Sequence, residues 1–149
     1  MDHSPRMQYP KTPEEWRLTL IEDQADVVTK LSRESVAGTV ARLTDMITAK
    51  GMRLFAVIDQ AAEARRVGLT LRETTLVIFG SPQAGTPVMA AAPLSALDLP
   101  LKVLVWADGD QVKVSYYGPA ALAARYRLPA DLAASLAGID ALTDALVAS

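Results

Sequence analysis

The chain has 149 residues, 50% hydrophobic and 21% charged, which suits one globular domain better than two. Its 15 basic residues are offset by 17 acidic ones for a net charge of −2. Nucleic acid is therefore not expected as a partner, because a duplex-binding surface needs a basic surplus to displace counterions. There is no cysteine, which excludes disulfides, thiolate nucleophiles and cysteine-based zinc sites.

Residues 1–24 read as an N-terminal extension, partly flexible, and 25–149 as a single domain. Residues 1–11 are polar, contain Pro5 and Pro10, and lack the apolar stretch of a signal peptide. No apolar run approaches the roughly 20 residues that span a bilayer. A cytoplasmic location and no membrane partner are expected. Thr12-Pro13-Glu14-Glu15 has the form of a capped helix start, with Trp16, Leu18, Leu20 and Ile21 behind it.

Residues 27–31 are rich in β-formers and predict the first strand. Val36, Val40, Leu43 and Ile47 recur at helical spacing over residues 34–50, and Gly51 stands where a left-handed cap is wanted. Residues 54–58 form the second strand; apolar on both faces, it is expected to be central. A short helix over 60–66 ends near Gly68. The third strand is 75–79, and the Gly/Pro/Ala-rich stretch after it holds two short helical pieces, about 83–90 and 93–98. Strands over 101–107 and 111–117 flank Asp108-Gly109-Asp110, a hairpin turn in which Gly accepts a positive φ. Pro119 opens a helix ending near Tyr126. Pro129 opens the last one, with Leu132, Leu136, Ile139, Leu142 and Leu146 as its stripe and Gly138 weakening its middle. The order predicts an α+β fold: a mostly antiparallel sheet of about five strands with helices packed on one face.

Few residues can carry chemistry. The single histidine, His3, falls in the tail, so neither a Ser-His-Asp triad nor a histidine zinc site is expected, and no catalytic or metal-ligating residue is assigned. Gly80 and Gly85 have the spacing of the two P-loop glycines, but Thr86 occupies the lysine slot and Pro87 the next, so no nucleotide cofactor is expected. The loop could instead shape a strand exit or cradle a small anion on backbone N–H groups. Asp59 ends the second strand and either faces a cleft or caps the following helix, the cap being favoured. Asp108-Gly109-Asp110 is too short for a calcium loop. Arg65-Arg66 reads as a solvated helix end. By alternation Tyr116 belongs to the core with Val112 and Val114, and Tyr117 to the other face.

Leu31-Ser32 before a helix containing Thr39, then Gly51, Val57-Ile58-Asp59, Gly68-Leu69, Phe79-Gly80, Pro82, Gly85-Thr86-Pro87 and the run from Ala96 to Trp106 together resemble the family called domain of unknown function 302. The pattern Phe-Gly-x-Pro-x-x-Gly-Thr followed by Leu-Asp-Leu-Pro-Leu is its most specific part, and the resemblance runs from about residue 27 to the end. It implies a TATA-box-binding-protein-like α+β fold with a curved sheet, and homodimers. It implies no established biochemical activity. This chain has Gln60 where members commonly have His, Ser81 where Asn is common, and Glu73 where Pro is usual.

Three functional readings follow, in order of preference. The first is a module binding a small ligand or a partner, with Asp59, Gln60, Gly80, Ser81, Gly85 and Thr86 as candidate binding residues. The second is a homodimeric structural or interaction protein. The third is a carboxylate-dependent enzyme using Asp59, Glu63 or Ser81.

Overall fold

The computed structural model describes residues 12–14 and 26–148. The strands are β1 (Val27–Ser32), β2 (Arg53–Asp59), β3 (Thr74–Gly80), β4 (Leu101–Asp108) and β5 (Gln111–Tyr117). The helices are α1 (Val36–Ala49), α2 (Gln60–Arg66), α3 (Pro82–Ala91), α4 (Pro119–Tyr126), α5 (Ala130–Ala134) and α6 (Gly138–Val147), with a 3₁₀ helix at Pro93–Leu97. The strands form one five-stranded sheet in the order β1-β5-β4-β3-β2, and every neighbouring pair is antiparallel. The α+β expectation holds.

Strand alternation decides which face is buried. Val77 pairs with Val103, and Val105 with Val114, so these side chains share one face. All four are fully buried, together with Phe79. Leu43 and Ile47 of α1 and Ile139, Leu142 and Leu146 of α6 complete that core. Helix α1 forms because its apolar residues fall on one stripe and both ends are capped. Ser35 accepts from the Gly38 N–H at 3.0 Å. Gly51 then takes φ +74°, and Met52 N–H reaches the Ile47 carbonyl at 3.1 Å.

Helix α6 is tied to the edge strand β1 by polar groups. Lys30 Nζ donates to Thr143 Oγ1 at 2.7 Å and to the Asp140 carbonyl at 3.1 Å, and pairs with Asp144 at 2.8 Å. Tyr116 donates its hydroxyl to Asp140 Oδ1 at 2.5 Å. Burial by itself lowers the Lys30 pKa, yet its bonds to Asp144 and Tyr116 carry it above the ordinary lysine value.

Two expectations are corrected. Strand β2 is an edge strand, not a central one. Leu54, Phe55 and Val57 stay 37–45% exposed, so its apolar residues are not there to be covered on both faces by sheet neighbours. The single C-terminal helix is two, α5 and α6, separated by a turn at residues 135–137. The reason is packing: Leu132 and Leu136 join a second cluster with Val88 and Leu122, whereas Ile139, Leu142 and Leu146 join the main core. One straight helix cannot aim at both. At the N-terminus Pro13 and Glu14 are helical; the tail with His3, and Trp16, Leu18, Leu20 and Ile21, lie outside the described residues.

Leu43 touches the sheet with no exposure at all. Leu43→Ala should therefore lower the unfolding free energy by about 3 kcal/mol in a denaturant titration. A loss below about 1 kcal/mol would mean that α1 does not seal this core.

Candidate functional site

The two apolar clusters do not fuse completely. Phe79, Ile139 and Leu142 belong to the first and Leu136 to the second, with Leu101 packed against both. Between them lies a cavity of about 440 Å³, at the end of the sheet where β2 begins and β3 stops. Its wall is mostly aliphatic and aromatic, completed by Met52, Met89 and Leu99. The polar residues that line it are Lys50, Ser81, Thr86 and Ser135.

Local structure explains how each wall is placed. Strand β2 carries an extra residue at Phe55, where the register to β3 shifts between Leu54 and Ala56. Such a bulge re-aims a side chain, and here the half-exposed Phe55 lines the cavity. Lys50 is the C-terminal cap residue of α1 and is exposed. Ser81 is the N-cap residue of α3, although its hydroxyl donates to Gln83 Oε1 at 3.1 Å rather than bonding a helix amide. Pro82 occupies the first turn, where its missing N–H is harmless.

The expected Gly80–Thr86 loop is not a loop. Gly80 closes β3, and Gly85 and Thr86 lie inside α3. Gly85 N–H and Ala84 N–H both bond the Ser81 carbonyl, at 2.8 and 3.0 Å, as helical amides do. An anion cradle built on these amides is therefore ruled out, and neither glycine has a positive φ. Gly80, Ser81, Gly85 and Thr86 nevertheless all line the cavity. Asp59 and Gln60 do not. Arg53 pairs with Gly80 and Asp59 with Thr75, so Asp59 is about 20 Å along the strand from the cavity end. There Asp59 accepts from Ala62 N–H at 2.9 Å, the cap reading of this residue. Sequence reasoning missed Lys50, Met52, Phe55, Met89 and Leu136. As ordinary apolar or helix-end residues they carry no local signal.

A second, smaller cavity of about 320 Å³ lies where the sheet forks. Strands β4 and β5 pair only as far as Leu104 and Ser115, although both strands continue past that point. Leu76, Leu97, Lys102 and Tyr117 are among its lining residues. Asp98 closes this region: it accepts from Arg125 Nη1 at 2.7 Å and from the Tyr126 hydroxyl. Burial pushes the Asp98 pKa up, but Tyr126 and Arg125 outweigh it and hold the carboxyl below its ordinary value.

The fold and the cavity define a small antiparallel α+β domain with a mostly apolar pocket. The chain belongs to the family described as Domain of unknown function DUF302, whose model matches residues 28–146. A crystal structure of an uncharacterized conserved protein DUF302 from Bacillus stearothermophilus superposes with a TM-score of 0.69, at 18% identity, covering 82% of this chain and 95% of that one. The chain is also 42% identical over 103 residues to the fluoride-specific ion channel FluC 1 of Brucella suis biovar 1, covering 68% of this chain and 41% of that protein. The FluC 1 of Brucella abortus biovar 1 matches at the same identity over 38% of its length. The chain thus spans about two fifths of these curated relatives. No helix among the described residues is long and apolar enough to cross a membrane.

A carboxyl with a depressed pKa stabilises the fold above its ordinary pKa, and that contribution disappears as pH falls through the lowered value. Asp98→Asn should therefore lower the thermal midpoint at pH 7. The gap to the wild type should close only at a pH below the ordinary aspartate pKa. A gap that stays constant down to that pH would mean that Asp98 acts through packing rather than charge.

Proposed function

We propose that this domain is a binding module whose larger cavity takes a small, mostly apolar molecule. The carrying observation is the cavity itself. Its volume of about 440 Å³ falls within the roughly 300–1,000 Å³ of ordinary ligand pockets. Phe79, Leu136, Ile139 and Leu142 supply an apolar wall, and a few polar groups stand among the lining residues. Four of the six candidate binding residues line it. In this reading the module works in the cytoplasm. The carboxylate-dependent enzyme has less support, because Asp59 serves as a cap and lies far along β2 from Ser81.

Two observations favour an interaction role as the second reading. The sheet face opposite α1 and α6 carries Leu31 and Tyr117, both about half exposed, beside Leu76 and Leu104. A second copy of the chain would cover such a face in a homodimer. The relatives named as fluoride channels are the other observation, since this chain matches only a portion of each. In that reading the domain is a docking or sensing unit for a channel, and conduction belongs to the remainder of those proteins.

Gly138 lines the cavity, and a Cβ there would have no heavy atom within 4 Å. Gly138→Phe should fill the space while leaving the thermal midpoint within a few degrees. The wild type should bind the neutral apolar fluorophore nile red at one saturable site, and the variant should lose at least tenfold in affinity. Native mass spectrometry of the same samples reports any retained adduct and the oligomeric state. Equal nile red binding by both proteins would reject the cavity reading, and a purely monomeric spectrum at micromolar concentration would reject the homodimer.

A further inference from the structure

We propose that the molecule held in the larger cavity is an amphipathic anion, with a hydrocarbon body in the apolar chamber and an acidic head paired with Lys50 and Arg53 at its rim. The inference rests on the binding reading above and adds the chemical class of the ligand.

Three observations carry it. The first is the charge of the lining: Lys50 is the one charged residue, and no acidic side chain contributes. The second is a neighbouring cation. Arg53 opens β2 and lays its guanidinium over the Phe55 ring, 5.2 Å from the centroid, and Phe55 itself lines the cavity. The third is that neither cation is paired. Lys30, Arg42, Arg66, Arg72, Lys113 and Arg125 each have a carboxylate within 4 Å. Lys50 and Arg53 have none among the described residues, a state they share with Arg65, Lys102 and Arg127, and of these five only Lys50 lines the larger cavity.

The plain alternative is that Lys50 is a solvated cation at a helix C-terminus, where the helix dipole favours it. That account explains Lys50 alone. It leaves the bulge that brings Phe55 to the rim, and the guanidinium on that ring, without a role. An apolar chamber whose only charged lining residue is positive and unpaired suits a carboxylate, sulfonate or phosphate ester on an alkyl or aryl body. A neutral molecule of the same shape would leave both cations unused.

The test compares dodecanoate with dodecanol as competitors of nile red, below their aggregation concentrations and near neutral pH. The acid should displace the probe about threefold to fivefold more tightly than the alcohol, the size of an exposed charge pair. High salt should erode that preference by screening. The variant carrying Lys50→Gln with Arg53→Gln should bring the acid to the level of the alcohol. Alcohol affinity and thermal midpoint should not change, because both side chains are exposed. Equal displacement by acid and alcohol in the wild type overturns the inference and leaves the cavity reading standing. So does an acid preference that survives high salt and the double substitution. If nile red itself does not bind the wild type, the cavity reading fails and this inference with it.

Discussion

Strands β3 and β4 place Val77, Phe79, Val103 and Val105 on one face with no exposure, and the other elements are arranged to cover that row. Antiparallel neighbours share a face residue by residue, so one register fixes which side of the whole sheet is apolar. Because β1 and β2 lie at opposite edges, the connection between them must cross the sheet, and α1 is that connection. Its stripe of Val36, Leu43 and Ile47 is buried on the way. Helix α6 covers the side nearer β1, where Lys30 holds it through Thr143 and Asp144. A partly buried lysine is tolerable there only because every donor it presents finds oxygen.

The same arrangement leaves a seam. Covering the row with α6 takes Ile139, Leu142 and Leu146, while Val88, Leu122 and Leu136 gather under α3 and α4. The two clusters approach through Leu101 and leave space between Phe79 and Leu136. The seam opens to solvent, so it is a cleft between two packed clusters rather than a void within one. Phe55 on its bulge and the glycines Gly85 and Gly138 are among the residues that line it.

Membership of the family and the superposition on its Bacillus stearothermophilus member define the fold. They do not by themselves choose a ligand, because sites are grafted on folds independently of architecture. Where members commonly carry His, this chain has Gln60, which opens α2 at the end of β2 remote from the cavity. The departure at Ser81 is different in kind, since Ser81 stands in the cavity wall.

Local sequence determined most of the elements. Ser35 and Gly51 bound α1, Asp59 caps α2, and Gly109 at φ +63° turns the β4–β5 hairpin. Alternation also separated core Tyr116 from exposed Tyr117. These are short-range effects, set by a residue's own φ preference or by a partner a few positions away. Sequence did not reveal that β2 is an edge, since an apolar run looks alike whether a strand or a cavity lies beside it. It also did not show that residues 135–137 separate two helices, because Leu136 and Ile139 choose different clusters only once α3 and β4 are in place. The cavity belongs wholly to the tertiary structure. Lys50, Phe55, Met89 and Leu136 come from four separate segments, and no local pattern records that packing leaves space between them.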